Sequence, residues 1–314
     1  MEGVKGGGEK KAKYLVYGGV AGGIAHTCTA PLERLRLLHS VQHLDKRGPR
    51  YHGVLPALTK IWREEGFRGF YKGNGVNVLR ILPTSAVRFY TFEVYKQLIM
   101  QWTGKKDMTV PIRLCSGSLA GATAVFVAFP LDLIRTRLAA PMHMDTRYKG
   151  LWHAVKTIHH EEGIRGFYKG IHLAMLAIAP YIAIYFTTYE TLREHSQRWK
   201  LNRLKQQQEE EGETSTKVDT RPGVLLSLSM GATAATVAMT LTFPGDVLKR
   251  RMMVQGIGGE ERQFNGLVDT IQKTWRNEGV KGFYRGIIPC YIRVIPSAAI
   301  TWTVMELCKR IGGE

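Results

Sequence analysis

The feature that most constrains this chain is a pattern that it repeats three times. The first copy reads Pro31-Leu-Glu33-Arg-Leu-Arg36, then Tyr51-His-Gly53, then Glu65-Gly66 and Tyr71-Lys72-Gly73. The second reads Pro130-Leu-Asp132-Leu-Ile-Arg135, Tyr148-Lys-Gly150, then Glu162-Gly163 and Tyr168-Lys169-Gly170. The third reads Pro244-Gly-Asp246-Val-Leu-Lys249, Phe264-Asn-Gly266, then Glu278-Gly279 and Tyr284-Arg285-Gly286. The proline precedes the Glu-Gly pair by 34, 32 and 34 residues, which chance does not produce three times. Each copy closes on a second signature: Phe92-Glu93-x-x-Lys96, Tyr189-Glu190-x-x-Arg193 and Met305-Glu306-x-x-Lys309. The fold must therefore be one unit built three times.

Hydropathy says what that unit is. Tyr14–Leu32, Leu114–Leu131, Ile171–Tyr189 and Gly223–Gly245 carry no Asp, Glu, Lys or Arg. Each is close to the ~20 residues that cross the hydrocarbon of a bilayer as a helix. Two further stretches, around Val76–Met100 and Ile287–Lys309, are as long but hold Arg80, Arg88 and Arg293. A charge inside a span is costly and usually faces a water-filled cavity. Each repeat thus predicts a long helix bent near its proline, a short amphipathic helix, and a second long helix. The fold class is an all-α membrane protein with six spans in three pseudo-symmetric repeats. Gly18-x-x-x-Gly22, Gly19-x-x-x-Gly23 and Gly117-x-x-x-Gly121 suit close helix packing, and Gly231-x-x-x-Ala235 is a weaker copy. The expected organisation is a tail (1–13), repeats at 14–101, 111–194 and 222–310, and a polar linker at 195–221.

The net charge of +18 needs an explanation, and its distribution supplies one. The segments 34–73, 135–170 and 249–286 hold 24 basic and 10 acidic residues, a net +14 on one side of the membrane. No nucleic-acid fold signature accompanies the basic residues, so a nucleic-acid partner is not expected. The four cysteines are scattered without a paired spacing, which argues against a disulfide framework or a metal site. No nucleophile–base constellation appears, and neither an enzyme nor a cofactor is expected. The tail has no apolar run and no Arg-rich amphipathic pattern, so targeting is expected to be internal. Residues 195–221 lengthen the second repeat interval to 114 residues from 99, and read as a helical extension fading into a flexible linker.

The tripled P-x-[D/E]-x-x-[K/R] with its downstream Glu-Gly and aromatic-basic-Gly elements resembles the mitochondrial carrier family over about residues 14–310. That resemblance implies three helix pairs around a central cavity that opens alternately to the matrix and the intermembrane space. The basic side would be the matrix, with both termini opposite, in a multi-pass protein of the mitochondrial inner membrane. A monomer is expected.

The charges after each proline stand one helical turn apart: Glu33 and Arg36, Asp132 and Arg135, Asp246 and Lys249. In three-fold symmetry each carboxylate meets the base of an adjacent repeat and closes a matrix gate. Glu93, Lys96, Glu190, Arg193, Glu306 and Lys309 would form the opposite, cytoplasmic gate. Neither ring can be overwhelmingly stable if the two alternate. Thirteen residues before Glu93, Glu190 and Glu306 lie Arg80, Ala177 and Arg293, the expected substrate level. Two arginines at one depth suit an anion, because guanidinium binds phosphate bidentately. Arg88 would face the same cavity one to two turns higher.

Ala177-Ile178 resembles the Gly-Ile or Gly-Val of family members that carry adenine nucleotides or coenzyme A, leaving a flat apolar slot for the base. Tyr181 is a candidate to stack on it, with a packing or membrane-belt tyrosine as the alternative. The stretch from Lys72 to Phe89 resembles the branch for ATP-Mg/phosphate, AMP/ADP and coenzyme A. The expected function is antiport of an adenine-containing anion; a non-transporting scaffold, or a carrier of another anion, is the alternative. Several positions depart from relatives: His26 stands where ADP/ATP exchangers have a lysine, Leu38 replaces a commonly basic residue, and Gly245 and Met305 are unusual. Gly53, Gly150 and Gly266 lead into short helices, and Gly73, Gly170 and Gly286 into long ones. Free amides at helix N-termini bind phosphates, so cardiolipin is the expected lipid partner.

Overall fold

A computed structural model describes residues 17–44, 53–104, 107–140, 148–211, 223–257 and 263–311. The tail and the later part of the linker lie outside these. Among the described residues the regular elements are ten helices. They are α1 (17–28), α2 (Ala30–Val41), α3 (Val54–Gly69), α4 (Asn74–Thr103) and α5 (Val110–Leu138), then α6 (Leu151–Gly166), α7 (Ile171–Glu211), α8 (Val224–Val254), α9 (Leu267–Phe283) and α10 (Ile287–Ile311). The thrice-built plan of long, short and long helix is therefore present.

The prolines act as the sequence suggests, with one difference between repeats. Thr29 separates α1 from α2, and Pro31 begins the new helix where a missing N–H costs nothing. Pro130 and Pro244 instead sit inside α5 and α8, which run on through them. The second long helices hold prolines too, Pro83, Pro180 and Pro296, each three residues past Arg80, Ala177 and Arg293. The short helices break where Gly66, Gly163 and Gly279 adopt φ of 67°, 66° and 60°, a left-handed backbone that suits glycine. The chain then re-enters a last helical turn toward the aromatic-basic-Gly element.

Among the described residues, four helices are long and apolar enough to cross a membrane: Val110–Leu138, Ile171–Arg203, Leu226–Val254 and Ile287–Cys308. Helix α4, at 30 residues, is long enough as well but carries Arg80, Arg88, Glu93 and Lys96. Large apolar side chains stand outward on these helices, among them Leu79, Phe89, Phe126, Leu241 and Ile295. That is the face lipid requires, since a helix satisfies its own backbone there.

The contacts divide the chain into two compact units, Met1–Ile178 with Phe243–Glu314, and Ala179–Thr242. The first holds the main core, at the proline-motif end. Leu37 and Val41 of α2, Phe129 and Leu133 of α5, Ile158 of α6 and Met253 and Val254 of α8 pack there. Gly22 and Gly23 of α1 lie against Ile81 and Val78 of α4, so small residues admit a close neighbour. Gly117 differs, because the space beside it is open. The second unit holds parts of α7 and α8, where Gly231 approaches the Tyr185 hydroxyl. The polar extension is helical as far as Glu211, with Arg198 and Glu194 3.6 Å apart and Arg203 over the Trp199 ring.

Candidate functional site

The first turns after each proline aim a carboxylate and a base at neighbouring repeats. Arg135 Nη2 donates to Glu33 Oε2. Lys249 Nζ donates to Asp132 Oδ2 at 3.3 Å, and Arg36 Nη2 donates to Asp246 Oδ2 at 2.7 Å. Each carboxylate thus meets the base of the following repeat, and the three pairs close a ring. Phe243, fully buried, lies under the Arg36 guanidinium at 5.1 Å, a contact that favours the cation.

Every ring carboxylate also has a second cation. Arg293 Nη1 donates to Glu33 Oε1, where His26 Nδ1 also stands at 2.8 Å. Asn77 Nδ2 donates to the other Glu33 oxygen at 3.3 Å. Arg80 Nη1 lies 3.6 Å from Asp132 Oδ1, and Arg250 Nε donates to Asp246 at 2.9 Å. The two arginines read as the substrate level therefore pair with the ring beside them. Their Nε atoms are buried without a hydrogen-bond partner, leaving each guanidinium partly unsatisfied. Sequence reasoning missed Arg250 and Asn77, although both lie in register with the repeat.

At the same depth Ala177 meets α8: a Cβ on Gly245 would stand 3.8 Å from that of Ala177. Two small residues face each other there, with Ile178 next to Ala177 and half-buried. Arg88 is exposed on α4 and has no ion-pair partner among the described residues. In the second unit Tyr181, Tyr185 and Tyr189 form a ladder on one face of α7, with centroids 6.4 and 6.3 Å apart and planes within 14°. Only Tyr181 had been singled out; its partners recur at four-residue spacing.

The charges of the second signature pair differently. Lys96 lies 3.5 Å from Glu93 and Arg193 lies 3.4 Å from Glu190, each on its own helix. Glu306 faces Arg310 at 3.8 Å, and the Lys309 side chain lies outside the described residues. These pairs are exposed, whereas the proline-motif ring is largely buried.

A further set of pins fixes the ring from below. Arg137 and Arg251 are buried and hold Glu162 and Glu278 of the Glu-Gly pairs. Lys169 and Arg285 close on the same carboxylates at 2.7 and 3.0 Å. Burial alone raises the pKa of Glu162, but hydrogen bonds and charge from Arg137, with Lys169, hold its carboxyl below the usual value. In the first repeat Arg34 does this work, donating to both Glu65 oxygens at 2.7 and 2.8 Å.

The glycines of the aromatic-basic-Gly elements sit against the ring's own backbone. Gly73, Gly170 and Gly286 have φ of 78°, 88° and 87°. A Cβ on them would stand 2.8, 3.2 and 2.7 Å from the carbonyl oxygens of Arg135, Lys249 and Arg36. Gly53, Gly150 and Gly266 cap the N-termini of α3, α6 and α9. A cavity opens beside Gly266, lined by Lys169, Met252, Gln255, Phe264, Asn265 and Gly266.

The family model described as mitochondrial carrier protein matches residues 8–102, 106–199 and 221–313. The mitochondrial adenine nucleotide transporter of Arabidopsis thaliana is 35% identical over 320 residues, covering 96% of this chain and 87% of that protein. Solute carrier family 25 member 16 of Homo sapiens is 37% identical over 306 residues, covering 93% and 86%. Calcium-dependent mitochondrial ATP-magnesium/phosphate carrier protein 3 of Arabidopsis thaliana is 35% identical over 301 residues, covering 96% of this chain and 57% of that protein.

Proposed function

We propose a substrate for this chain from one premise: it belongs to the mitochondrial carrier family, and is a multi-pass transporter of the mitochondrial inner membrane rather than an enzyme. Its cargo is an adenine-bearing phosphate, either an adenine nucleotide or coenzyme A, exchanged by alternating access. The observation that carries this is the pairing of Arg80 with Asp132 and of Arg293 with Glu33. Two guanidiniums at one depth, each with an unpartnered Nε, offer phosphate groups a bidentate site. The small pair Ala177 and Gly245, with Ile178, supports a flat place for the base. The names of two relatives, an adenine nucleotide transporter and an ATP-magnesium/phosphate carrier, agree with a nucleotide cargo.

On this reading the ring of Glu33, Arg36, Asp132, Arg135, Asp246 and Lys249 is the matrix gate, formed while the cavity faces the intermembrane space. Glu93, Lys96, Glu190, Arg193, Glu306 and Lys309 are the cytoplasmic gate, with Lys96 and Arg193 paired to Glu93 and Glu190 on their own helices. His26 holds Glu33 when the site is empty, Arg88 receives the substrate higher up, and Tyr181 stacks on the base. The six capping glycines, Gly53, Gly73, Gly150, Gly170, Gly266 and Gly286, present backbone amides to cardiolipin phosphates. A single chain completes the ring, so the working unit is a monomer.

The test is reconstitution into cardiolipin-containing liposomes loaded with ADP, ATP, AMP or coenzyme A, with uptake of each labelled compound. Saturable exchange of at least one supports the reading. Exchange confined to a carboxylate or amino acid would overturn it.

A further inference from the structure

The first repeat breaks the pattern of the other two at two places that meet. In repeats two and three the arginine pin stands at Arg137 and Arg251, with Leu133 and Val247 one turn earlier. In repeat one the order is transposed: Arg34 stands first and Leu38 occupies the arginine's place. Residues four apart share a helix face, so Glu65 is reached from either position. What changes is the rest of the guanidinium. Arg137 Nε donates to the Met253 carbonyl at 2.9 Å, and Arg251 Nε to the Ser40 carbonyl at 3.1 Å. Each of these bonds crosses to the following repeat. Arg34 donates to the Gly69 carbonyl of its own repeat, as Arg251 does to Gly282, but its Nε is buried without a partner. Ala139, the counterpart of Met253 and Ser40, therefore receives no arginine from the first repeat.

The second departure is Ala30, where the other repeats have Phe129 and Phe243 before the proline. Those rings stack on Tyr168 and Tyr284 with planes 8° and 6° apart. A cavity lies at this join between the first two repeats, lined in part by Ala30, Arg34, Leu37, Asn74 and Ala139. Asn74 Oδ1 is a second buried polar atom there without a partner. The cations that line it hold carboxylates: Arg34 and Lys72 hold Glu65, Arg135 holds Glu33 and Arg250 holds Asp246. The opposite end of the same join is secured, with the Tyr95 and Thr123 hydroxyls 2.9 Å apart.

We infer that the join between repeats one and two is the hinge-like one, held at its outer end and weakly held at its matrix end, where it parts before the other two. Transposing Arg34 and Leu38 removes the hydrogen bond that the other two joins carry between repeats, and Ala30 leaves the first repeat without its ring stack; what remains across this end are the ion pairs Glu33–Arg135 and Arg80–Asp132, which an alternating gate must release. The inference rests on the gate reading only for its transport arm.

The experiment uses the full chain with its native cysteines replaced, carrying one probe cysteine at Ala139→Cys or at Met253→Cys. In purified protein, maleimide should label the Ala139→Cys probe roughly fivefold faster or more, the worth of about one hydrogen bond. Adding Arg34→Leu with Leu38→Arg, which restores the symmetric order, should slow that labelling toward the Met253→Cys rate. Exchange of labelled ADP and labelled coenzyme A by the transposed variant should slow at unchanged KM. Should that variant not fold, the reciprocal pair Leu133→Arg with Arg137→Leu should speed labelling of Met253→Cys. Equal rates at the two probes, or rates indifferent to either transposition, overturn the inference. If the parent exchanges neither compound, the substrate reading fails and the labelling comparison alone decides this one.

Discussion

Arg80 Nη1 lies 3.6 Å from Asp132 Oδ1, so a side chain of the proposed substrate level and one of the proposed gate share an ion pair. Arg293 and Glu33 repeat the arrangement. A phosphate that draws either arginine takes a cation from the ring. Replacing Arg80 or Arg293 with Ala should remove about 2–5 kcal/mol of transition-state stabilisation and nearly abolish exchange. Liposome uptake measures it, and near-normal rates in both variants would reject the assignment.

The ring itself is tested on the Asp132–Lys249 pair, 3.3 Å apart. Asp132→Lys or Lys249→Asp alone should impair exchange. The double reversal should recover part of the loss, with a coupling of ~0.5–3 kcal/mol. Recovery is expected to be incomplete, because Arg80 would then face a lysine. Strict additivity in the double-mutant cycle would argue that the two charges act independently.

Much of this arrangement was legible beforehand because it depends on register. Three-fold repetition fixes which residues share a depth, so each of Glu33, Asp132 and Asp246 was expected to meet the base of an adjacent repeat; which neighbour supplies it, Arg135, Lys249 and Arg36 in turn, came from the structure. Departures from symmetry were not legible in the same way. That Leu38 replaces a base is plain from the sequence. That Arg34 takes over its carboxylate depends on where Glu65 lies in space, and two positions one turn apart reach it equally. The second cations on Glu33, Asp132 and Asp246 were hidden for a similar reason, since pairing between helices has no sequence spacing. Pro83, Pro180 and Pro296 were in plain view, but the repeat had been read through its charges. Residues 1–13 of the tail and 212–221 of the linker lie outside the described residues.

The glycine contacts give a sharper steric test. A Cβ on Gly286 would stand 2.7 Å from the Arg36 carbonyl oxygen, at a residue with φ of 87°. Both the clash and the backbone oppose a side chain. Gly286→Ala should destabilise the protein by more than ~1 kcal/mol. Gly104→Ala, also left-handed but with open space beside it, should cost only the backbone term. Thermal unfolding in detergent separates the two; equal losses would show that the approach to Arg36 is immaterial.

Acid should loosen the pin in the second repeat. The Glu162 carboxyl is held below its ordinary value of 4.5 by Arg137 and Lys169 in the fold. A depressed folded pKa adds stability that is fully present above the unfolded value and lost as pH falls through the folded one. Unfolding temperature should therefore fall as pH drops below about 4.5, and Glu162→Gln should lack that component of the fall. Parallel profiles for the two proteins would show that this carboxylate does not contribute.

The last prediction concerns the place for the base. Ala177 and Gly245 face each other across α7 and α8, near enough that a Cβ on the glycine would touch the alanine methyl at 3.8 Å. An indole at Ala177 cannot fit between the helices and must project toward the substrate level, where Ile178 is half-buried. A flat base and a tryptophan would then compete for one volume, whichever phosphate-bearing group the base carries. Ala177→Trp should abolish exchange of adenine nucleotides and of coenzyme A alike, while Ala177→Gly should leave it intact or faster. Membrane insertion and thermal stability of both variants should stay close to the parent, because the position is not in the tight core. If Ala177→Trp inserts normally and still exchanges these compounds at the parental rate, the base does not lie beside Ala177.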